Sequence, residues 1–234
     1  MLLWRGRVSE PTMFDVSPAL LIIDMQNDFV APGAPIRCPG ATDICGAIGR
    51  LRQTARAAGV PVIFTQERHR AEMVDFGLEL DYGEPLHCLE GTAGPDFYPS
   101  LLPQPGDFIL PKRRYSAFFA TDLEILLKGL GVDTVILTGV ATDVCVRATA
   151  QDAHQLNYRV LVVPECVAGT TEARNEAALD NIAYVFGRIL PAADAHDLLR
   201  RTRSGRRSKS GMTPPDEVAG RTGDRRRRLE SARQ

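Results

Sequence analysis

The chain has 234 residues, 44% of them hydrophobic, and a formal net charge of −1. That length suits one large domain or two small ones at about 100–200 residues each, with apolar content enough for a buried core. No apolar run approaches the ~18 residues of a membrane-spanning helix, which excludes that class. The opening stretch "MLLWRGRVSE" lacks an apolar core with a cleavage site and does not read as a signal peptide.

Charge is unevenly spread. Residues 200–234 hold 12 Lys/Arg against 4 Asp/Glu, leaving 16 against 25 in the remainder, so an acidic body carries a basic tail. The runs "RRTRSGRRSKSG" and "DRRRR" have no interleaved aromatics and no apolar periodicity. They read as disordered, and charge alone does not make a nucleic-acid site. The five cysteines are odd in number and form no C-x-x-C pair. That argues against a disulfide framework or zinc ribbon and for a reducing cytoplasm. The four histidines are scattered, with no spacing that announces a metal.

In chain order, "ALLIID" (19–24) reads as a first strand. An amphipathic helix follows from residue 41, with Thr42 or Asp43 as N-cap and Gly59 just past its end. "VPVIFT" (60–65) is a second strand. Residues 66–105 form a long stretch rich in Gly, Pro and acids, and loops of that length are usually functional. "DFILPK" (107–112) is a third strand and "TDLEILLKGLG" a helix. "DTVILTG" (133–139) is a fourth strand, running into a helix that begins near Cys145. "YRVLVVPE" (158–165) is a fifth strand, "EARNEAALDNIAYVFG" a helix, and "GRIL" a short sixth strand.

Strands alternating with helices imply parallel pairing, because parallel strands need crossovers. The expected fold is α/β: a doubly wound, mainly parallel sheet of five to six strands with helices on both faces. Its expected extent is 18–201, after an extension (1–17) and before the basic tail (202–234). In such a fold the site lies beyond the carboxyl ends of the strands.

Three reactive residues stand at those ends: Asp24 after strand one, Lys112 at the end of strand three, and Cys145 after strand four. Taken singly, each has an ordinary explanation: a cap, a solvent-facing amine, a small core residue. Their coincidence at one edge points to chemistry. A thiol must become a thiolate to attack, and a helix N-terminus or an ammonium favours the anion. A carboxylate can take the thiol proton and return it to a leaving amine. The turn "GVATDVC" can offer the backbone N–H groups of Ala141 and Cys145 as an oxyanion hole.

These stretches resemble the isochorismatase-like cysteine hydrolases over roughly residues 18–185. The motifs are "LLIIDMQNDF", "LPKRRYSAFFATDLEILL" and "ILTGVATDVCV". The resemblance implies Asp24 as general base and acid, Lys112 as stabilising cation and Cys145 as nucleophile. It also implies a cis peptide between Val140 and Ala141, turning two N–H groups towards the oxyanion. Isochorismatases proper lack the cysteine, so Cys145 argues for amide or ureide hydrolysis. Nicotinamidases of the family carry a D-W-H metal motif after strand two. Here "TQERHR" stands instead, so Glu67 and His69 supply two ligands at most, and neither metal nor cofactor is expected. The "ERHR", "HCLEGTAGPDFYPSL" and "KRRYSAFFATDL" stretches look closer to the branch that hydrolyses biuret, triuret, ureidoacrylate or N-carbamoyl amino acids. Nicotinamidase, or another small-amide hydrolase, is the alternative within the family. A non-catalytic ligand-binding member is the alternative outside catalysis.

Polarity and position nominate the substrate contacts. Arg70 would pair a carboxylate, and Glu67 would accept ureide N–H groups. Asn27 and Phe29 would line the pocket, and Tyr115 and Phe118 would wall it. Cys38, Cys45, Cys88 and Cys166 read as structural. The expected partners are the small substrate, water and further copies of the chain in a dimer or tetramer, with no membrane and no nucleic acid.

Overall fold

A computed structural model describes residues 16–206. The extension expected over 1–17 and the tail expected over 202–234 therefore lie almost wholly outside the described residues. Among the described residues no helix is long and apolar enough to cross a membrane.

Six parallel strands form one sheet. They are β1 (Pro18–Ile23), β2 (Val62–Glu67), β3 (Phe108–Lys112), β4 (Thr134–Val140), β5 (Arg159–Ala168) and β6 (Arg188–Ile189). Their order is β3-β2-β1-β4-β5-β6, and every neighbouring pair is parallel. The order reverses direction between β1 and β4, so the crevice for a ligand opens past the ends of those two strands.

The helices are α1 (Asn27–Val30), α2 (Ala41–Ala57), α3 (Leu123–Gly129), α4 (Arg147–Gln155), α5 (Glu172–Asn181) and α6 (Ala192–Arg206). Alternation along β1 explains the layers, because successive side chains point to opposite faces. Leu20 and Ile22 pack with Ile48, Leu51 and Ala55 of α2 and with Leu198 and Leu199 of α6. Ala19, Leu21 and Ile23 pack with Leu123 and Leu127 of α3 and with Ala150 and Ala153 of α4. Both faces are covered, and β1 is buried along its whole length.

The structure shifts several expected boundaries. Neither Thr42 nor Asp43 caps α2: the N-cap is Gly40 at φ 78°, with no side-chain cap bond. β2 starts at Val62 and runs on to Glu67, two residues further than its apolar run suggests. The helix expected from Glu172 changes to a π-helical turn at Ile182–Phe186. α6 continues to Arg206, so the boundary placed at 201/202 falls inside a helix, with Thr202 buried and bonded to the Leu198 carbonyl.

One glycine fixes the contact between β1 and β4. Gly139 sits at φ 103°, and a Cβ there would lie 2.0 Å from the Ile23 carbonyl oxygen. No side chain fits that gap, so the two strands that carry the acid and the thiol close up tightly.

Candidate active site

Asp24 follows β1 directly, in left-handed backbone at φ 51°, and is fully buried. Thr65 of β2 holds it twice: the Asp24 N–H donates to Thr65 Oγ1 at 3.0 Å, and the Thr65 hydroxyl donates to Asp24 Oδ1 at 2.6 Å. Oδ2 is left facing the Lys112 ammonium at 2.8 Å. Lys112 ends β3 and is itself buried. Its Nζ also donates to Glu67 Oε2 at 2.6 Å and to the Arg114 carbonyl at 3.0 Å. Its third donation is to Cys145 Sγ at 3.7 Å, while Asp24 Oδ2 meets the ammonium as an ion pair and accepts no hydrogen bond.

Cys145 sits in a π-helical turn, Thr142–Val146, that joins β4 to α4. Such turns inside helices often mark functional positions. The Val140–Ala141 peptide bond entering the turn is cis, as the resemblance implies. The Ala141 carbonyl accepts from the N–H groups of Val144 and Val146, which turns that oxygen into the helix start. Oxygen atoms of Asp24 and Glu67 and the Cys145 sulfur all lie within 4.8 Å of one another.

The electrostatics follow from burial and from one cation among several anionic groups. Burial raises the Cys145 thiol well above its ordinary value, and Lys112 opposes this only in part. Burial also raises Asp24, with Lys112 pulling it down and Glu67 pushing it up. Burial would lower Lys112, but Asp24, Cys145 and Glu67 outweigh it and hold the ammonium well above the usual lysine range. Glu67 is pulled the other way: burial raises it, yet Lys112, His69 and His87 together keep it well below the usual carboxylate range. The resting site is therefore a fixed ammonium, an anionic Glu67 and a neutral thiol beside a carboxyl group able to exchange a proton.

The loop from residue 66 to 105 supplies the back of the site. Gln26 staples it. Its Nε2 donates to the Glu67 carbonyl at 2.7 Å and to the Pro95 carbonyl at 3.0 Å, while its Oε1 accepts from the Glu67 N–H at 2.8 Å. His87 places both ring nitrogens on acceptors, the Pro85 carbonyl at 2.8 Å and Glu67 Oε1 at 3.0 Å. Burial lowers His87, but Glu67 and the Pro85 carbonyl raise it above the ordinary histidine value, which favours the imidazolium.

A cavity of about 260 Å³ opens onto Cys145 and Ala141. Phe29, Ile36, Val144 and Tyr115 form apolar walls, and Arg37, Cys38, Glu67, Glu84, His87 and Thr170 add the polar lining. A larger cavity of about 510 Å³ opens at the amino ends of β4 and β5, near His154 and Tyr184. It holds none of the three reactive residues, whereas the smaller one holds Cys145 and is the candidate reaction site.

The expected substrate contacts divide. Phe29 and Tyr115 line the cavity. Asn27 does not: its Nδ2 donates to the Ala93 carbonyl at 2.8 Å and ties down the long loop. Phe118 does not either, since it packs against Tyr158 at 5.7 Å in the layer of α3 and α4. Arg70 is committed to Asp75, with its backbone N–H at 2.9 Å and its guanidinium at 2.6 Å, and is absent from the cavity lining. Glu67 lines the cavity, but Lys112 and His87 already occupy its two oxygens, so it positions the cation instead of receiving ureide N–H groups. Sequence reasoning misses Gln26, Ile36, Arg37, Glu84 and His87, and treats Cys38 as structural only. Burial pushes the Cys38 thiol up to about 12, which keeps it protonated in the same cavity lining as Cys145.

The likeness carried by the three motifs extends through the whole sheet. The Isochorismatase domain profile matches residues 18–194. The chain belongs to the isochorismatase family. Within that family it is 36% identical over 199 residues to the maleamate amidohydrolase of Pseudomonas putida, covering 84% of this chain and 92% of that one. It is 32% identical over 209 residues to a ureidoacrylate amidohydrolase RutB of Methylorubrum extorquens, covering 79% and 84%. Its fold matches the solved N-carbamoylsarcosine amidase of Thermoplasma acidophilum at a TM-score of 0.67 and 31% identity, covering 76% of this chain and 97% of that one.

Isochorismatase-family nicotinamidases carry a metal after the second strand, and here the ligand count of two is corrected. His87 joins Glu67 and His69, and the three offer ligand atoms within 4.8 Å of one another. The kinds of donor suit zinc, but two of the three already hold other partners. Both Glu67 oxygens face cations, and both His87 nitrogens face acceptors; of the three, His69 alone has a ring without hydrogen bonds. The trio does not fit a divalent ion in this arrangement, and no catalytic step is routed through one. Exhaustively chelated protein, with metal content measured on the same sample, is expected to keep its full rate of amide turnover. Stoichiometric metal whose removal stops turnover and whose return restores it would overturn this.

Proposed function

We propose that the chain hydrolyses a carbon–nitrogen bond of a small amide or ureide, with Cys145 as nucleophile and a thioester or thiocarbamate as intermediate. The chain is an isochorismatase-family amidohydrolase, like its relatives that act on maleamate and ureidoacrylate. The observation that carries the mechanism is the buried convergence of Asp24, Lys112 and Cys145 at the crevice between β1 and β4.

The steps follow from that geometry. The substrate carbonyl carbon sits over Cys145, its oxygen towards the backbone N–H groups of Ala141 and Cys145. As Sγ attacks, its proton passes to Asp24, and the Lys112 ammonium offsets the negative charge that builds at sulfur and carboxylate. The C–N bond breaks as Asp24 gives that proton to the departing nitrogen, and ammonia leaves. Water then adds to the acyl carbon while Asp24 takes its proton. Collapse breaks the C–S bond, and Asp24 returns the proton to sulfur. Water and amide are consumed, and acid and ammonia are produced, so the atoms balance without a further reactant.

A preference for ureides over amides rests on Glu67 and Arg70, and both are engaged elsewhere, so the geometry supports the wider class. The test is ammonia release from biuret, triuret, ureidoacrylate, N-carbamoyl amino acids, maleamate, nicotinamide and acetamide, paired with mass spectrometry of acid-quenched enzyme. The expected result is turnover of at least one compound with the acyl mass on the Cys145 peptide. No ammonia above background from any of them, or turnover with the adduct on another residue, would end this reading.

A further inference from the structure

Arg37 lies in the loop between α1 and α2, eight residues after the aromatic wall residue Phe29 and beside Ile36. It lines the same cavity as Cys145 and Ala141. Lys112, His87 and the neighbouring loop arginines are committed. Lys112 donates to Glu67, Arg114 and Cys145 and is ion-paired with Asp24, and His87 has both nitrogens on acceptors. Arg70 and Arg113 both bind Asp75 at 2.6 Å, and Arg68 binds Glu90 at 3.0 Å. Among the described residues no carboxylate, carbonyl or hydroxyl accepts from the Arg37 guanidinium, although Arg37 is solvent-accessible at the cavity wall. The two acids of the lining are engaged as well, Glu67 by Lys112 and His87, and Glu84 by the Tyr115 hydroxyl at 3.3 Å.

We infer that Arg37 is the specificity residue that pairs a carboxylate carried by the substrate, so that the preferred substrates are small amides or ureides bearing a free acid. This rests on the amidohydrolase reading above. A guanidinium presents a planar fork that matches a carboxylate with two parallel hydrogen bonds, which a neutral amide or ester cannot reciprocate. A volume of about 260 Å³ leaves room for only a short spacer between the reacting carbonyl and the acid. The apolar faces of Phe29, Ile36 and Tyr115 suit a flat spacer of few carbons.

The experiment compares kcat/KM for the monoamide of a four-carbon dicarboxylic acid with that for its methyl ester, in the wild-type chain and in Arg37→Gln and Arg37→Lys. A charge-assisted hydrogen bond discriminates by about 10- to 100-fold, and the exposure of Arg37 puts the expectation at the lower part of that range. The wild type is expected to favour the acid, and Arg37→Gln to lose about 10-fold or more of that ratio, mainly through KM. Arg37→Lys is expected to recover part of it, and added salt to erode the wild-type ratio. Thermal melting of each variant checks that the fold is intact. A ratio unchanged within about threefold in Arg37→Gln, or a wild-type preference for the ester, overturns the role of Arg37 while the cysteine chemistry stands. Failure of the wild type to hydrolyse any amide sinks both together.

Discussion

Cys145→Ser is expected to lower turnover by about 10⁴-fold or more, the scale seen when a covalent nucleophile is removed. The thiol is already pushed well up by burial, and only the Lys112 ammonium at 3.7 Å works against that. A serine hydroxyl is far more reluctant still to give up its proton, and an Asp24 carboxylate is too weak a base to draw it off without a dedicated relay. Serine fills nearly the same space in the π-helical turn, so the fold and the cavity are retained. The measurement is single-turnover ammonia release by purified protein, with circular dichroism and thermal melting as controls. Ammonia release within about tenfold of wild type would remove Cys145 from the nucleophile's role.

Asp24→Asn is expected to cost about 10²- to 10⁴-fold, the range for acid–base assistance by one positioned group. The amide keeps the shape that Thr65 holds, but it cannot take the thiol proton or hand one to ammonia. This variant is chosen over removal of Lys112 for a reason of stability. Without the lysine, Asp24 would stay buried with no cation, at a cost of about 3–5 kcal/mol, and loss of folding would mask loss of chemistry. In the Asp24→Asn variant the Lys112–Glu67 pair, at 2.6 Å in the wild type, remains. Rates should be followed for both acyl-enzyme formation and its hydrolysis, since the proposed mechanism passes the proton through Asp24 in each. A variant slowed in neither step by more than a few-fold would show that some other group carries the proton.

The core of the fold was legible because its strands are short apolar runs with little else to become. β1, β4 and β5 are central strands covered on both faces, and such runs need no partner information to be recognised. Asp24, Lys112 and Cys145 were legible for a related reason: each stands at or just past the end of a strand, so the rule for parallel sheets put them at one edge before any contact was known. What stayed hidden lies in the long loops. His87 and Glu84 stand about twenty residues past β2, where no periodicity fixes direction. Their approach to Glu67 and Tyr115 depends on Gln26 holding strand end and loop together. Arg70 and Arg37 are indistinguishable in sequence as loop arginines; only the folding of Asp75 against one of them decides which is free. The π-helical turn was illegible too, because its residues read as an ordinary helix start.

The sheet order has a bearing on how activity is acquired during folding. The thiol, its proton partner and the ammonium come from the ends of β4, β1 and β3, which are far apart along the chain, with β2 lying between β3 and β1. No two strands that are both consecutive in the chain and adjacent in the sheet bring two of them together. The meeting of these three residues is therefore a long-range product, built only when four strands have docked in register, and loop closure must be completed before any of the chemistry is gained. Catalytic competence in this chain is expected to be an all-or-none property of the assembled sheet: a partly folded intermediate, or a nicked chain whose halves have parted, would carry the right residues and none of the reaction.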